Sequence, residues 1–265
     1  MKIALMDSGI GLLAAAAVMR RLRPDADLVL SSDPDGMPWG PRTPEGIAEC
    51  ALQVAGSAAA HAPDALIVAC NTATVHALDA LRAELEPRIP VIGTVPAIKP
   101  AAAGGGRVAI WATPATTGSP YQRGLIRDFA AGAHVTEVPC PGLADAVQWA
   151  DEEAIARTVA AAAALTPPDV TDVVLGCTHY ELVEDAVRAA LAERTGGARL
   201  TFHGSALPVA TQALRRLGAR PEPGLPATGR LTVLLSGRAA ALPPAALSYA
   251  EGRLLAAGES APVAG

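Results

Sequence analysis

Short apolar runs alternate with helically spaced apolar positions from one end of this chain to the other. Lys2–Met6, Asp27–Leu30, Ala65–Ala69, Val91–Gly93, Arg107–Trp111, Val170–Leu175, Arg199–Phe202 and Leu231–Leu235 read as strands. Several of them are continuously apolar, as expected when helices cover both faces of a sheet. Between them Gly11–Leu22, Pro44–His61, Ala73–Leu85, Pro120–Ala130, Glu152–Ala164, Glu181–Glu193 and Leu207–Leu217 read as helices. Such alternation predicts βαβ units and a mainly parallel sheet. Pro223–Ala227 and the chain after Gly252 read as loop and loose tail, and only Gly258–Gly265 suggests disorder.

The chain also echoes itself. Lys2-Ile-Ala-Leu-Met-Asp-Ser is matched by Arg107-Val-Ala-Ile-Trp-Ala-Thr, and Leu66-Ile-Val-Ala-Cys-Asn-Thr by Val173-Val-Leu-Gly-Cys-Thr-His. From Lys2 to Cys70 is 68 positions and from Arg107 to Cys177 is 70. The fold class expected is therefore α/β, with two pseudo-symmetric, doubly wound parallel-sheet domains. Their boundaries fall at 1–92 plus 207–265 and at 93–206. Ligands bind beyond the carboxyl ends of parallel strands, so pseudo-symmetric packing would turn Cys70 and Cys177 toward one cleft between the domains. Gly104–Gly106 precedes a strand rather than a helix and reads as a turn, not a phosphate loop.

Composition narrows the chemistry. The net charge of −5 argues against a nucleic-acid footprint. No apolar run is long enough to span a bilayer, and Met1–Asp7 is a strand pattern rather than a signal peptide, so a cytoplasmic protein is expected. Lys2 and Lys99 are the only lysines, poor candidates for a pyridoxal-phosphate Schiff base. The four cysteines form no CxxC pair and the five histidines are scattered, which disfavours disulfides and zinc; no cofactor and no metal are expected. Cys50 reads as core within a helix, and Cys140, between two prolines, as structural.

Two cysteines at matched strand ends suit racemisation. That reaction removes a proton from one face of Cα and returns one to the other, so it needs two acid/base groups with opposite protonation. A thiol serves in either role, with a reference pKa of about 8.5. Hydroxyl or amide residues and then a helical pattern follow each cysteine, and a helix start beside the sulfur would favour thiolate.

Asp7-Ser-Gly-Ile-Gly, Pro38-Trp-Gly-Pro-Arg, Ala69-Cys-Asn-Thr-Ala-Thr, Val95-Pro-Ala-Ile-Lys-Pro, Thr113-Pro-Ala-Thr and Leu175-Gly-Cys-Thr-His-Tyr, in this order, resemble glutamate racemase within the aspartate/glutamate racemase superfamily. The likeness implies cofactor-independent interconversion of L- and D-glutamate for peptidoglycan and cell-wall synthesis, in a protein that is commonly a homodimer. It makes Cys70 the group facing the D-enantiomer and Cys177 the group facing the L-enantiomer, with Asp7 and His179 as their proton partners. Ser8, Asn71, Thr72, Thr113, Thr116 and Thr178 match positions that hold the substrate carboxylates, and Pro38, Trp39 and Gly40 match a turn near the substrate.

By their residue types alone, Asp7, Ser8 and Thr116 also read as helix caps, and His179 as a cap or core residue. The pattern departs from the family at Leu12, at Ser32–Met37, at Trp39 in place of tyrosine, at Gln148 in place of a glutamate, and at His203-Gly-Ser. Two other readings stay open: a sister racemase acting on aspartate or a cyclic derivative, and a two-lobed binding protein. The paired cysteines disfavour a one-cysteine decarboxylase and equally a cysteine hydrolase.

Overall fold

The computed structural model describes residues 1–257; Gly258–Gly265, where the sequence suggests disorder, lie outside them. The chain divides into two compact α/β units, one holding Met1–Thr94 and the chain from Ala206 onward, the other Val95–Ser205.

In the first unit, β1 (Lys2–Asp7), β2 (Asp27–Ser32), β3 (Ala65–Val68) and β4 (Val91–Gly93) alternate with α1 (Leu12–Leu22), α2 (Pro44–Ala59) and α3 (Asn71–Leu85). After the second unit the chain returns as α9 (Ala206–Arg216), β9 (Leu231–Leu235), β10 (Arg238–Ala240), α10 (Pro244–Leu247) and α11 (Ala250–Ala257). The strand order is β10-β9-β2-β1-β3-β4, parallel except for the edge hairpin β9–β10. Apolar side chains of the sheet, such as Ala4, Met6, Leu66 and Val68, pack against Ile47, Ala51 and Val54 of α2 and against Ala73, Ala77 and Leu81 of α3. With β1 and β3 covered on both faces, their side chains are almost all buried, which explains their unbroken apolar runs.

The second unit contains α4 (Ile98–Ala102), β5 (Arg107–Ala112), α5 (Pro120–Phe129), β6 (His134–Pro139), α6 (Leu143–Gln148), α7 (Glu152–Leu165), β7 (Asp172–Leu175), α8 (Glu184–Arg194) and β8 (Thr201–His203). Its sheet runs β6-β5-β7-β8, all parallel. That order repeats β2-β1-β3-β4, so the sequence echo is also a topological one. Registers match too: Met6 pairs with Val68 as Trp111 pairs with Leu175, and each cysteine lies two residues beyond the second member of its pair.

Several expectations need correction. β6 was not anticipated, because an edge strand has one sheet neighbour and its polar residues His134, Thr136 and Glu137 break the apolar run. The expected helix from Glu181 is α8 alone, preceded by a separate 3₁₀ turn over Thr178–Val183. α3 starts at Asn71, directly after Cys70, rather than at Ala73. The loose tail expected after Gly252 is instead helical through Ala257: α11 packs on α1 and buries Leu255 completely. Replacing Leu255 by Ala should therefore destabilise the protein by about 2–5 kcal/mol, read by urea unfolding. A change near zero would place α11 outside the cooperative fold.

Candidate active site

Each unit carries a cysteine where a central strand ends, with a titratable side chain alongside. In the first unit, the amide N–H of Ala69 donates to the carbonyl of Met6, which sets Cys70 level with the end of β1. There Asp7 is buried, and its Oδ1 accepts the N–H of Ser8 at 2.6 Å and the Ser8 hydroxyl at 3.3 Å. Cys70 occupies the N-cap position of α3 without a side-chain cap hydrogen bond, and the Asp7 carboxylate and the backbone amides of Ala73 and Ser8 all act on its thiol. Burial pushes the Cys70 thiol well above its ordinary value, the Asp7 charge pushes the same way, and the two amides only partly oppose them. The helix start thus does not produce a resting thiolate, contrary to the sequence expectation. Cys70 is held toward its protonated form beside the Asp7 carboxylate.

Asp7 is not the N-cap of α1, which is Gly11, without a side-chain cap hydrogen bond. Asn71 and Thr72 open the first turn of α3, Asn71 buried and Thr72 half-buried. Pro38-Trp39-Gly40 lies in the loop after β2, which starts beside Ser8 because the Asp33 N–H donates to the Ser8 carbonyl. Pro38 and Gly40 are exposed. Trp39 is buried in the core of this unit and donates its indole N–H to Asp33 Oδ2 at 3.0 Å. Asp33 Oδ1 in turn accepts from the Gly36 amide at 3.1 Å and from the Ser236 hydroxyl, at the tip of the β9–β10 hairpin, at 3.1 Å. Asp33 and Ser236 are absent from the expected site. Sequence alone gives no sign that a residue 203 positions away braces this loop.

In the second unit, the Gly176 N–H donates to the Trp111 carbonyl, so Cys177 and Thr113 leave neighbouring strand ends at the same level. A Cβ on Gly176 would come within 2.7 Å of the Trp111 oxygen, which is why glycine precedes this cysteine. Half-buried Cys177 leads into the 3₁₀ turn rather than directly into an α-helix. Its partner is His179, buried, with Nδ1 3.9 Å from Cys177 Sγ and Nε2 3.0 Å from Gln148 Oε1. Burial lowers His179 from 6.5 to about 4, so the ring is neutral near pH 7. Thr178 is buried beside it in the same turn. Thr113 and Thr116 share a hydroxyl–hydroxyl contact of 3.2 Å. Thr116 caps no helix; Ser119 caps α5.

Of the remaining cysteines, Cys140 is buried, its thiol donating to the Val138 carbonyl and pushed by burial up to about 12, while Cys50 packs half-buried against the core. None of the four cysteines forms a disulfide. Among the described residues, no helix is long and apolar enough to cross a membrane.

Matched strand-end thiols in a duplicated parallel α/β fold define the class, and comparisons with known proteins agree. The family model for Asp/Glu/hydantoin racemase matches residues 12–220. A glutamate racemase of Roseiflexus sp. is 36% identical over 198 residues, covering 73% of this chain and 72% of its own. One from Pseudomonas entomophila is 35% identical over 227 residues, 82% of each chain. Among solved structures, Escherichia coli glutamate racemase, crystallised with L-glutamate and the activator UDP-MurNAc-Ala, has a TM-score of 0.75 at 25% identity and covers 96% of this chain and 92% of its own. The chain belongs to the Asp/Glu/hydantoin racemase family. It is an isomerase, an amino-acid racemase.

Two expectations follow from the proton partners. The native fold favours the neutral His179 ring, so between pH 6.5 and about 4 the unfolded state binds the extra proton. Stability from this residue is complete above 6.5 and is lost as pH falls, by about 3 kcal/mol in all. Urea unfolding across that range should show the loss in the wild type and its reduction in His179→Asn; equal pH dependence in the two proteins would contradict it. In a Cys177→Ser background, Asp7→Asn should lower the pH at which Cys70 ionises, read by thiolate absorbance. An unmoved titration would remove the carboxylate from the thiol's surroundings.

Proposed function

We propose that this protein interconverts L- and D-glutamate without a cofactor, Cys70 and Cys177 exchanging protons on opposite faces of Cα. The observation carrying the reading is the equivalence of the two cysteines: same strand, same register, each beside its own proton acceptor. A binding protein needs no thiol in either place, and a one-base enzyme needs only one.

When the L-enantiomer binds, Cys177 removes the Cα proton while the Cys70 thiol supplies one to the opposite face; the D-enantiomer reverses the roles. The removing sulfur must first lose its proton, to Asp7 on one side and to His179 on the other. Ser8, Asn71, Thr72, Thr113, Thr116 and Thr178 supply neutral donors for the two substrate carboxylates. Glutamate is favoured as substrate by the names of the relatives and by the bound L-glutamate of the E. coli protein. Its product would feed peptidoglycan synthesis in the cytoplasm. A homodimer is the expected assembly, checked by sedimentation equilibrium.

Without added pyridoxal phosphate, the purified protein should racemise both enantiomers of glutamate, followed by circular dichroism, and act on aspartate at least about tenfold less well. Cys70→Ala and Cys177→Ala should each lower kcat by about 10²–10⁴-fold. A fully active single variant would end the two-base reading; preference for aspartate would move the enzyme to a sister specificity.

A further inference from the structure

The second unit places a buried amide behind the imidazole, and its chemistry decides which ring nitrogen faces the thiol. Gln148 closes α6 and presents its carbonyl oxygen to His179 Nε2 at 3.0 Å. An amide oxygen only accepts, so the hydrogen in that bond belongs to Nε2. A neutral imidazole carries one N–H, which leaves a lone pair on Nδ1, 3.9 Å from Cys177 Sγ.

We propose that Gln148 is a positioning residue that fixes His179 as its Nε2–H tautomer, so that Cys177 passes its proton to the Nδ1 lone pair of a neutral ring. The inference rests on the reading of Cys177 as an acid/base group. In the transfer, the S–H bond breaks, its electron pair stays on sulfur, and a new N–H bond forms at Nδ1. The Nε2–H to Gln148 bond persists throughout.

No carboxylate takes the amide's place. On α6, Asp145 is exposed; in the 3₁₀ turn, Glu181 Oε1 accepts from the N–H and hydroxyl of Ser205. On α8, Glu184 pairs with Arg188 and Asp185 is exposed, and on β7 Asp172 pairs with His203 at 2.7 Å. The other titratable neighbours are Cys177, Cys140 and Tyr180, whose hydroxyl donates to the Cys140 carbonyl. Burial alone accounts for the lowered basicity of the ring. The two thiols are thus served unequally, Cys70 by an acidic side chain and Cys177 by a neutral pair.

The test is imidazole ¹⁵N NMR on histidine-labelled full-length protein at pH 7, with the His179 signals assigned by their loss in His179→Asn. The proposal expects a protonated Nε2 and an unprotonated Nδ1; an Nδ1–H tautomer or a doubly protonated ring overturns it. Gln148→Glu should raise the His179 titration midpoint by about one to three units. Gln148→Leu should mix the tautomers and cut kcat about tenfold while KM changes less than about twofold. A single unchanged tautomer in Gln148→Leu counts against the proposal. A wild type that shows the expected tautomer but does not racemise would uphold the positioning role and refute the catalytic reading of Cys177.

Discussion

A parallel strand in a doubly wound sheet must stop where its covering helix begins, and at that point the backbone turns and leaves one side chain at the sheet's end. Here that side chain is cysteine, twice. β3 and β7 hold the same place in their sheets, and the hydrogen bonds Ala69 to Met6 and Gly176 to Trp111 set each cysteine level with the end of its own neighbouring strand. Buried helix and strand faces hold these positions firmly, so the sulfur sites inherit the rigidity of the core. The proposed chemistry would therefore depend on strand register.

Burial has a cost for such a site. Taken from water, a thiol holds its proton more strongly, and Cys70 is pushed well above its ordinary range. A buried thiol becomes a usable base only if an acceptor sits next to it. In the proposed mechanism Asp7 and His179 would fill that need by different means: the first is acidic, the second a ring kept neutral by its own burial and bonded to an amide. The two units thus share strand order and register while the side chains beside their cysteines differ.

Much of this was legible in the sequence. Unbroken apolar runs mark strands covered on both faces, and the repeated small residue–Cys pair marks equivalent strand ends. β6 was hidden because an edge strand has no periodic requirement on its exposed side, and α11 because a short C-terminal helix with Gly252 inside it reads as a tail. At Cys70 desolvation outweighs the expected helix-start effect, and at Cys177 the chain enters a 3₁₀ turn where the sequence suggested a helix. The bracing of Trp39 by Asp33 and Ser236 spans 203 positions, from Asp33 to Ser236, and only folding brings those residues together.

The central claim is that two separate groups serve the two faces of Cα. It is tested most directly by the early time course of racemisation in D₂O, started from one pure enantiomer and analysed for deuterium in each. Two thiols predict deuterium at Cα of the newly formed enantiomer, with almost none in the remaining starting enantiomer, whichever one is used. Deuterium appearing equally in both from the outset, or product retaining its original hydrogen, would mean one group works both faces and would contradict the account.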